Sequence, residues 1–97
     1  MSYQANLTVT ISRQGRRYVA YAPALDISTS GKTETEAKKR FEELVQLFME
    51  ELEEAGTTAA VLTELGWTKQ SAGRARSPWV PPVTKSAHVH VRIPAFA

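Results

Sequence analysis

The stretch that decides the fold is TETEAKKRFEELVQLFMEELEEAG, residues 33–56. Apolar residues recur along it at three- and four-residue steps and form one stripe on a helix of about six turns. The stripe consists of Ala37, Phe41, Leu44, Val45, Phe48, Leu52 and Ala55. Thr33 is a natural N-cap, Glu36 completes a capping box, and Gly56 is the expected left-handed stop. The sequence therefore predicts a long amphipathic helix that ends at Gly56.

Three short strands are predicted before this helix, at residues 7–11, 17–22 and 26–30. The first alternates apolar with hydroxyl residues, which is typical of a half-buried strand, and the second is rich in Tyr and Val. Residues 13–16 have the composition of a turn, with Gly15 free to adopt positive φ, so the first two strands should form a hairpin. Pro23 should end the second strand because proline cannot donate to a ladder. A turn at Gly31 and Lys32 should follow the third strand.

The part that follows the helix divides into a helical segment and a tail. Thr57 or Thr58 caps a short second helix that Gly66 closes, and Trp67 is expected to pack back on the first helix. Residues 68–84 are rich in Pro, Ser and Gly and predict an extended linker. Residues 87–93 alternate again, with Val89, Val91 and Ile93 on one face and His88, His90 and Arg92 on the other, and Pro94 stops the pattern.

The predicted architecture is an α+β domain with a three- or four-stranded sheet packed on one long helix, in β-β-β-α-β order. Its predicted parts are a domain at residues 1–67, a linker at 68–84 and a C-terminal strand within 85–97. That strand would complete the sheet of its own or a neighbouring subunit, because an open sheet edge needs covering. We expect a homo-oligomer, a dimer or tetramer, held through the sheet edge or by tail exchange.

Composition and charge narrow the class of protein. The 97 residues include no cysteine, which excludes disulfides, thiolate metal sites and a cysteine nucleophile. No apolar run is long enough for a membrane span, and the N-terminus lacks a signal pattern, so we expect a soluble cytoplasmic protein. The net charge is +2, yet residues 33–55 carry eight acids against three bases and the remainder carries nine bases against two acids. The acidic helix is suited to meet a basic partner.

The sequence contains several partial catalytic motifs, but none of them supports an enzyme. Residues 30–33 (SGKT) match the end of a phosphate-binding loop, but Asp26 stands where that loop requires a glycine. His88 and His90 share a face and would make half of a metal site, without a third ligand at a suitable spacing. No nucleophile elbow is present. The sequence therefore predicts a binding protein without catalytic residues, cofactor or metal.

The order of these segments resembles the HicB family of antitoxins. The resemblance rests on LTVTI at residues 7–11, a glycine turn, YVAYAPAL at 18–25, STSGKT at 28–33, and Glu36-Ala37 at the start of an acidic helix. It covers about residues 5–55 and continues loosely to Trp67. It implies a reduced ribonuclease H-like domain without a catalytic carboxylate cluster. It also implies binding of HicA, a small basic ribonuclease toxin, whose active site the antitoxin covers.

The resemblance does not extend to the DNA-binding module that many members carry, since the 30 residues after Trp67 have no pattern of a recognition helix. Operator binding is therefore not expected. For toxin binding, charge complementarity would come from the acidic helix and affinity from apolar anchors. The candidate partner-binding residues are Tyr18, Tyr21, Pro23, Leu25, Glu50, Glu51, Glu53, Glu54 and Trp79.

Two other functions fit the same sequence. One is an orphan domain that self-associates and has no toxin partner. The other is a weak nucleic-acid-binding protein that uses Lys69, Arg74, Arg76 and the hairpin arginines; its affinity would fall steeply with salt. Because Tyr18 and Tyr21 lie three residues apart on one strand, they face opposite sides and are not both expected to be anchors.

Overall fold

A computed structural model describes residues 6–70 and 79–95 of the chain. Its elements, in order, are β1 (Thr10–Gln14), β2 (Arg17–Ala22), β3 (Ile27–Gly31), α1 (Glu34–Ala55), α2 (Thr58–Glu64), β4 (Thr68–Lys69) and β5 (Trp79–Val80). Strands β1, β2 and β3 form one antiparallel sheet with β2 in the centre, and β4 pairs with β5 in a separate ladder. The α+β class and the three-stranded sheet packed on a long helix are thus confirmed.

The first hairpin is shifted relative to the prediction. β1 begins at Thr10, opposite Tyr21, and extends to Gln14, so the turn is reduced to Gly15 and Arg16. Residues 7–9 lie outside the ladder because β2 ends at Ala22, and the next residue, a proline, has no N–H to donate. Their burial still alternates as the sequence predicts, with Leu7 and Val9 half-buried and Thr8 exposed. Gly15 has φ 64°, as the turn requires.

Helix α1 matches its predicted limits. The Thr33 side chain accepts a hydrogen bond from the Glu36 backbone N–H at 3.0 Å, and Gly56 ends the helix in the left-handed conformation with φ 71°. The Glu36 carboxylate forms an ion pair with Arg40 at 2.8 Å, so it stabilises the first turns through an i,i+4 contact. The predicted second helix is also present as α2, and Gly66 follows it with φ 92°.

The core has two clusters along α1. Ala20 and Ala22 of β2 are fully buried against Ala37 and Phe41 of the first half of α1. Small side chains on the central strand let the helix approach the sheet closely. The second cluster lies at the other end of β2 and joins the β2–β3 turn to the second half of α1, to α2 and to the segment after α2. It consists of Ala24, Leu25, Leu52, Leu62 and Trp67.

The C-terminal part corrects the predicted β-β-β-α-β order. Residues 87–93 form no strand, and every described residue from 85 to 95 is exposed, so the tail completes neither sheet of the described ranges 6–70 and 79–95. The two ends of the predicted linker, residues 68–69 and 79–80, pair as β4 and β5. Residues 71–78 of that linker lie outside the described residues. In the described ranges 6–70 and 79–95, no helix combines the length and apolarity that crossing a membrane requires.

Candidate binding surface

The turn between β2 and β3, residues 23–26, is closed by two backbone hydrogen bonds to one carbonyl. The Ala22 carbonyl accepts from the backbone N–H groups of Leu25 at 3.2 Å and Asp26 at 2.9 Å. Asp26 has φ 54°, a left-handed conformation that few residues other than Gly, Asn and Asp adopt readily. This conformation moves the start of β3 to Ile27, one residue later than predicted, and leaves Pro23 exposed at the tip.

Tyr21 lies on the face of the sheet away from α1 and forms a hydrogen bond with the same turn. Its hydroxyl donates a 3.0 Å hydrogen bond to Asp26 Oδ1. The pKa of Tyr21 is raised above its ordinary value of 10.0, first because the hydrogen bond to the Asp26 carboxylate favours the protonated phenol, and then because of desolvation and the negative charge. Tyr21 is half-buried, so part of its side chain is open to solvent, and Pro23 two residues later is exposed.

Trp67 packs against the buried side of this turn and donates a hydrogen bond to it. Its indole Nε1 donates to the Ala24 carbonyl at 2.8 Å, across 43 residues of sequence, and the side chain is buried. The predicted packing of Trp67 against the first helix is confirmed, because Trp67 shares its cluster with Leu52 of α1. Leu25, which the sequence analysis placed among the anchors, is only 3% exposed and belongs to the same cluster. It is a core residue and is not available at the surface.

Trp79 packs on the edge of that cluster. It is half-buried, its backbone pairs with Lys69 in the β4–β5 ladder, and the Lys69 ammonium lies 5.8 Å from the centre of its ring. This distance is within the range of a cation–π contact. Trp79 therefore contributes to the domain's own packing, against the cluster that includes Ala24 and Leu25 of the β2–β3 turn.

The four predicted acidic anchors surround the last turns of α1. Glu50, Glu51, Glu53 and Glu54 are all exposed, while Leu52 between them is buried beside the β2–β3 turn. The last turn of α1 contains no basic residue. Glu50 accepts a hydrogen bond from Gln46, and the one ion pair among the described residues joins Arg40 and Glu36. These carboxylates therefore remain available to an external cation.

The structure separates the predicted anchors into three groups. Tyr21, Pro23, Trp79 and the four glutamates lie at one end of the domain, around the second core cluster. Leu25 lies inside that cluster. Tyr18 lies at the other end, where it is paired with Gly31 and packs against the first cluster on the helix side of the sheet. The prediction that Tyr18 and Tyr21 face opposite sides is confirmed.

A basic end, which the sequence analysis did not identify, lies opposite the acidic one. Arg17 Nε donates to Ser30 Oγ at 3.1 Å, and Arg40 Nη1 donates to the Ser30 carbonyl at 3.4 Å. These contacts bring the hairpin turn and the beginning of α1 together. The segments that meet there carry seven bases, against the two acids Glu34 and Glu36 in the first turn of α1: Arg13, Arg16, Arg17, Lys32, Lys38, Lys39 and Arg40. This patch is not evident from the sequence, because its two halves are distant along the chain and meet through the β2–β3 pairing and the contacts with Ser30.

The remaining catalytic signals have structural explanations. Gly31 is the last residue of β3, and a Cβ at this position would lie 2.6 Å from the Ala37 backbone nitrogen. The SGKT stretch thus contains a glycine because the helix passes close to the strand. His88 and His90 are exposed, and among the described residues no three His, Asp or Glu side chains are placed to hold a metal ion. Arg74 and Arg76 lie outside the described residues.

Comparisons with known proteins give no assignment. No family model matches the chain, and no curated protein or solved structure matches it significantly. The surface around the β2–β3 turn must therefore be interpreted from its own residues. It combines an exposed proline, two half-buried aromatic side chains and four exposed carboxylates.

Proposed function

We propose that this chain is an antitoxin-like binding protein that neutralises a small basic ribonuclease of the HicA type by covering its active site. The proposed binding surface consists of Tyr21, Pro23, the exposed part of Trp79 and the carboxylates of Glu50, Glu51, Glu53 and Glu54. The proposal includes the reduced ribonuclease H-like fold that the HicB resemblance implies, and the cytoplasmic location expected from the sequence.

The observation that carries the proposal is the placement of four exposed carboxylates at the end of α1. A helix C-terminus carries partial negative charge, so acidic residues in the last turn, here Glu53 and Glu54, oppose the helix dipole and cost about 0.3–1 kcal/mol each. No base in the last turn offsets this cost. An arrangement that lowers the stability of the free domain is explained if the carboxylates contact a cationic partner.

The apolar part of the surface, Tyr21, Pro23 and Trp79, would supply most of the binding affinity. Charge complementarity raises association rates and selects partners, whereas most affinity comes from buried aromatic and apolar anchors. Pro23 is held at a fixed position by the hydrogen-bonded turn, and Tyr21 is held by Asp26. Little conformational entropy would be lost when these residues are covered, which favours tight binding.

Affinity capture from the source cells, followed by mass spectrometry, is the first test. We expect a small basic protein to co-purify near stoichiometry and, once isolated, to cleave RNA unless the chain is added. If only the chain itself is recovered, or if the co-purified material disappears after nuclease treatment, the antitoxin proposal is wrong.

Charge reversal then tests the surface. The double substitution Glu53→Lys and Glu54→Lys should weaken toxin binding at least about tenfold, because it replaces attraction with repulsion at the contact. The matched control is Glu42→Lys with Glu43→Lys, which changes the net charge equally on the same helix, 11 residues earlier. Equal effects of the two pairs, or no effect of the first, would remove the end of α1 from the mechanism.

The basic end favours a second candidate function, nucleic-acid binding. Bases from the hairpin turn and from the start of α1 are assembled there, and such a patch binds phosphate backbones without sequence preference. This alternative predicts an affinity for RNA or DNA that falls steeply with salt and that is reduced by Arg16→Glu. Absence of binding at low salt would exclude it.

A further inference from the structure

The β1 edge of the main sheet has no partner within the described residues. β2 occupies one side of β1, and the sheet order leaves the other side open. The two-residue turn makes Gln14 and Arg17 a hydrogen-bonded pair, and such pairs alternate along an antiparallel ladder. The backbone N–H and C=O groups of Ile11 and Arg13 therefore point outward. At the opposite edge, by contrast, Arg40 already donates to the Ser30 carbonyl of β3.

An apolar groove runs alongside this edge. It has a volume of about 200 Å³ and is lined by Val9, Ile11, Lys38, Phe41 and Glu42. The half-buried side chains of Val9 and Ile11 form one wall, and α1 forms the other. A strand added beside β1 would place alternate side chains in this groove, while the intervening ones would lie on the outer face of the sheet.

The C-terminal segment, residues 87–93, has the complementary pattern. Val89, Val91 and Ile93 are 78%, 70% and 77% exposed, and they alternate with His88, His90 and Arg92. Extended, these seven residues span about 23 Å, enough to follow β1 and the residues that precede it. Three β-branched residues exposed at every second position are unusual for a surface, since β-branched side chains favour strands and their burial is favourable.

We propose that residues 87–93 of a second copy of this chain add as a strand to the β1 edge, and that the exchange is reciprocal. Val89, Val91 and Ile93 of each copy would then lie in the groove of the other. The second copy is the occupant that the residues favour, because one chain carries both the open edge and the segment that matches its alternation. In such a two-fold symmetric dimer, each β1 edge is paired with residues 87–93 of the other copy. Both C-terminal segments are then part of a sheet.

The polar sides of the two elements are also compatible. With the apolar side chains in the groove, His88, His90 and Arg92 would lie beside the outward-facing residues of β1, which are Thr10, Ser12 and Gln14. These are neutral hydrogen-bonding residues, so no like charges are brought together by strand addition. The exchange does not depend on the proposed toxin and uses none of the residues assigned to the toxin-binding surface.

Sedimentation equilibrium of the full chain at several concentrations tests the exchange. We expect a dimer for the natural sequence and, for Val91→Glu, a dimer dissociation constant raised at least about tenfold, because a carboxylate would enter an apolar groove. The control is Val83→Glu, which introduces the same charge at a residue that is 90% exposed and outside the segment. It should leave the dimer unchanged.

A second variant tests the edge itself. Arg13→Pro removes one outward N–H without breaking the β1–β2 ladder and should also favour the monomer, whereas Arg13→Ala, which removes only the side chain, should not. Circular dichroism confirms that each variant keeps its helix. The proposal is overturned if the natural chain is monomeric throughout, if Val91→Glu stays as dimeric as the natural chain, or if Arg13→Pro has no effect.

Discussion

The Tyr21 hydroxyl donates to Asp26 Oδ1 at 3.0 Å, and the acceptor is the one described residue other than glycine with positive φ. The hydrogen bond joins the end of the central strand to the last residue of the exposed turn. It thereby fixes the conformation of the segment that presents Pro23. The turn depends on both residues: Asp26 allows the left-handed backbone, and Tyr21 provides a partner for its carboxylate.

The Tyr21–Asp26 pair predicts a pH dependence of stability. Because the folded state raises the Tyr21 pKa above 10.0, the stabilisation is fully present below pH 10.0 and is lost as the pH rises through the folded-state pKa. Asp26→Asn should lower the Tyr21 pKa towards its ordinary value while still tolerating positive φ. Spectrophotometric titration of tyrosinate would measure this, and Tyr21→Phe identifies the transition. An unchanged titration in Asp26→Asn would contradict the assignment.

The close approach of α1 to Gly31 predicts that any side chain at this position destabilises the domain. A Cβ there would lie 2.6 Å from the Ala37 nitrogen, so Gly31→Asn should destabilise the domain by roughly 1–3 kcal/mol or more through overpacking. Gly15→Asn is the matched control, because nothing lies within 4 Å of a Cβ at Gly15 and Asn tolerates its φ of 64°. Urea unfolding should show a much smaller loss for Gly15→Asn; equal losses would argue against close packing at Gly31.

Trp67 predicts a penalty from an unpaired carbonyl. Trp67→Phe removes the Nε1 donor to the Ala24 carbonyl in a buried site, which should cost roughly 1–3 kcal/mol in addition to the lost packing. The free energy of unfolding in urea measures the total. Leu47→Ala, at a side chain that is 53% exposed, should change stability far less. If Trp67→Phe were as mild as Leu47→Ala, the hydrogen bond would contribute little.

The acidic end of α1 predicts that neutralisation stabilises the free domain. Glu53→Gln with Glu54→Gln should raise the free energy of unfolding, by roughly 0.3–1 kcal/mol per site, since each removes a negative charge from the helix C-terminus. The gain should shrink at high salt because exposed charges are screened. Glu42→Gln with Glu43→Gln lies mid-helix and should give no comparable gain. A loss of stability in the first pair would show that these carboxylates support the fold.

Helix α1 could be predicted from the sequence. The limits of β1 and the burial of Leu25 could not. The stripe from Ala37 to Leu52, the Thr33 cap and the Gly56 stop are local signals, and α1 follows them. The pairing limits of β1 depend on where β2 stops, which is not a local property of residues 7–11. Leu25 looks like a surface apolar residue in sequence because its burial depends on Leu52 and Trp67, which are distant along the chain.

Residues 87–93 show a second limit of prediction from sequence. Their alternation has the pattern of a strand, but forming a strand also requires an edge to pair with, and residues 87–93 pair with no edge among the described residues. The basic end was missed for a related reason. Arg17 and Arg40 are far apart in sequence, and only the shared contact with Ser30 shows that they lie together.

The separation of bases and acids to opposite ends makes the domain an electric dipole aligned roughly with α1, a helix about 33 Å long. A charged macromolecule that approaches it therefore exerts a torque before any contact is made, and the domain turns to present the matching end. The same polarity makes copies attract head to tail in dilute buffer. Added salt should accordingly increase the solubility of this protein, contrary to the salting-out usual for neutral surfaces.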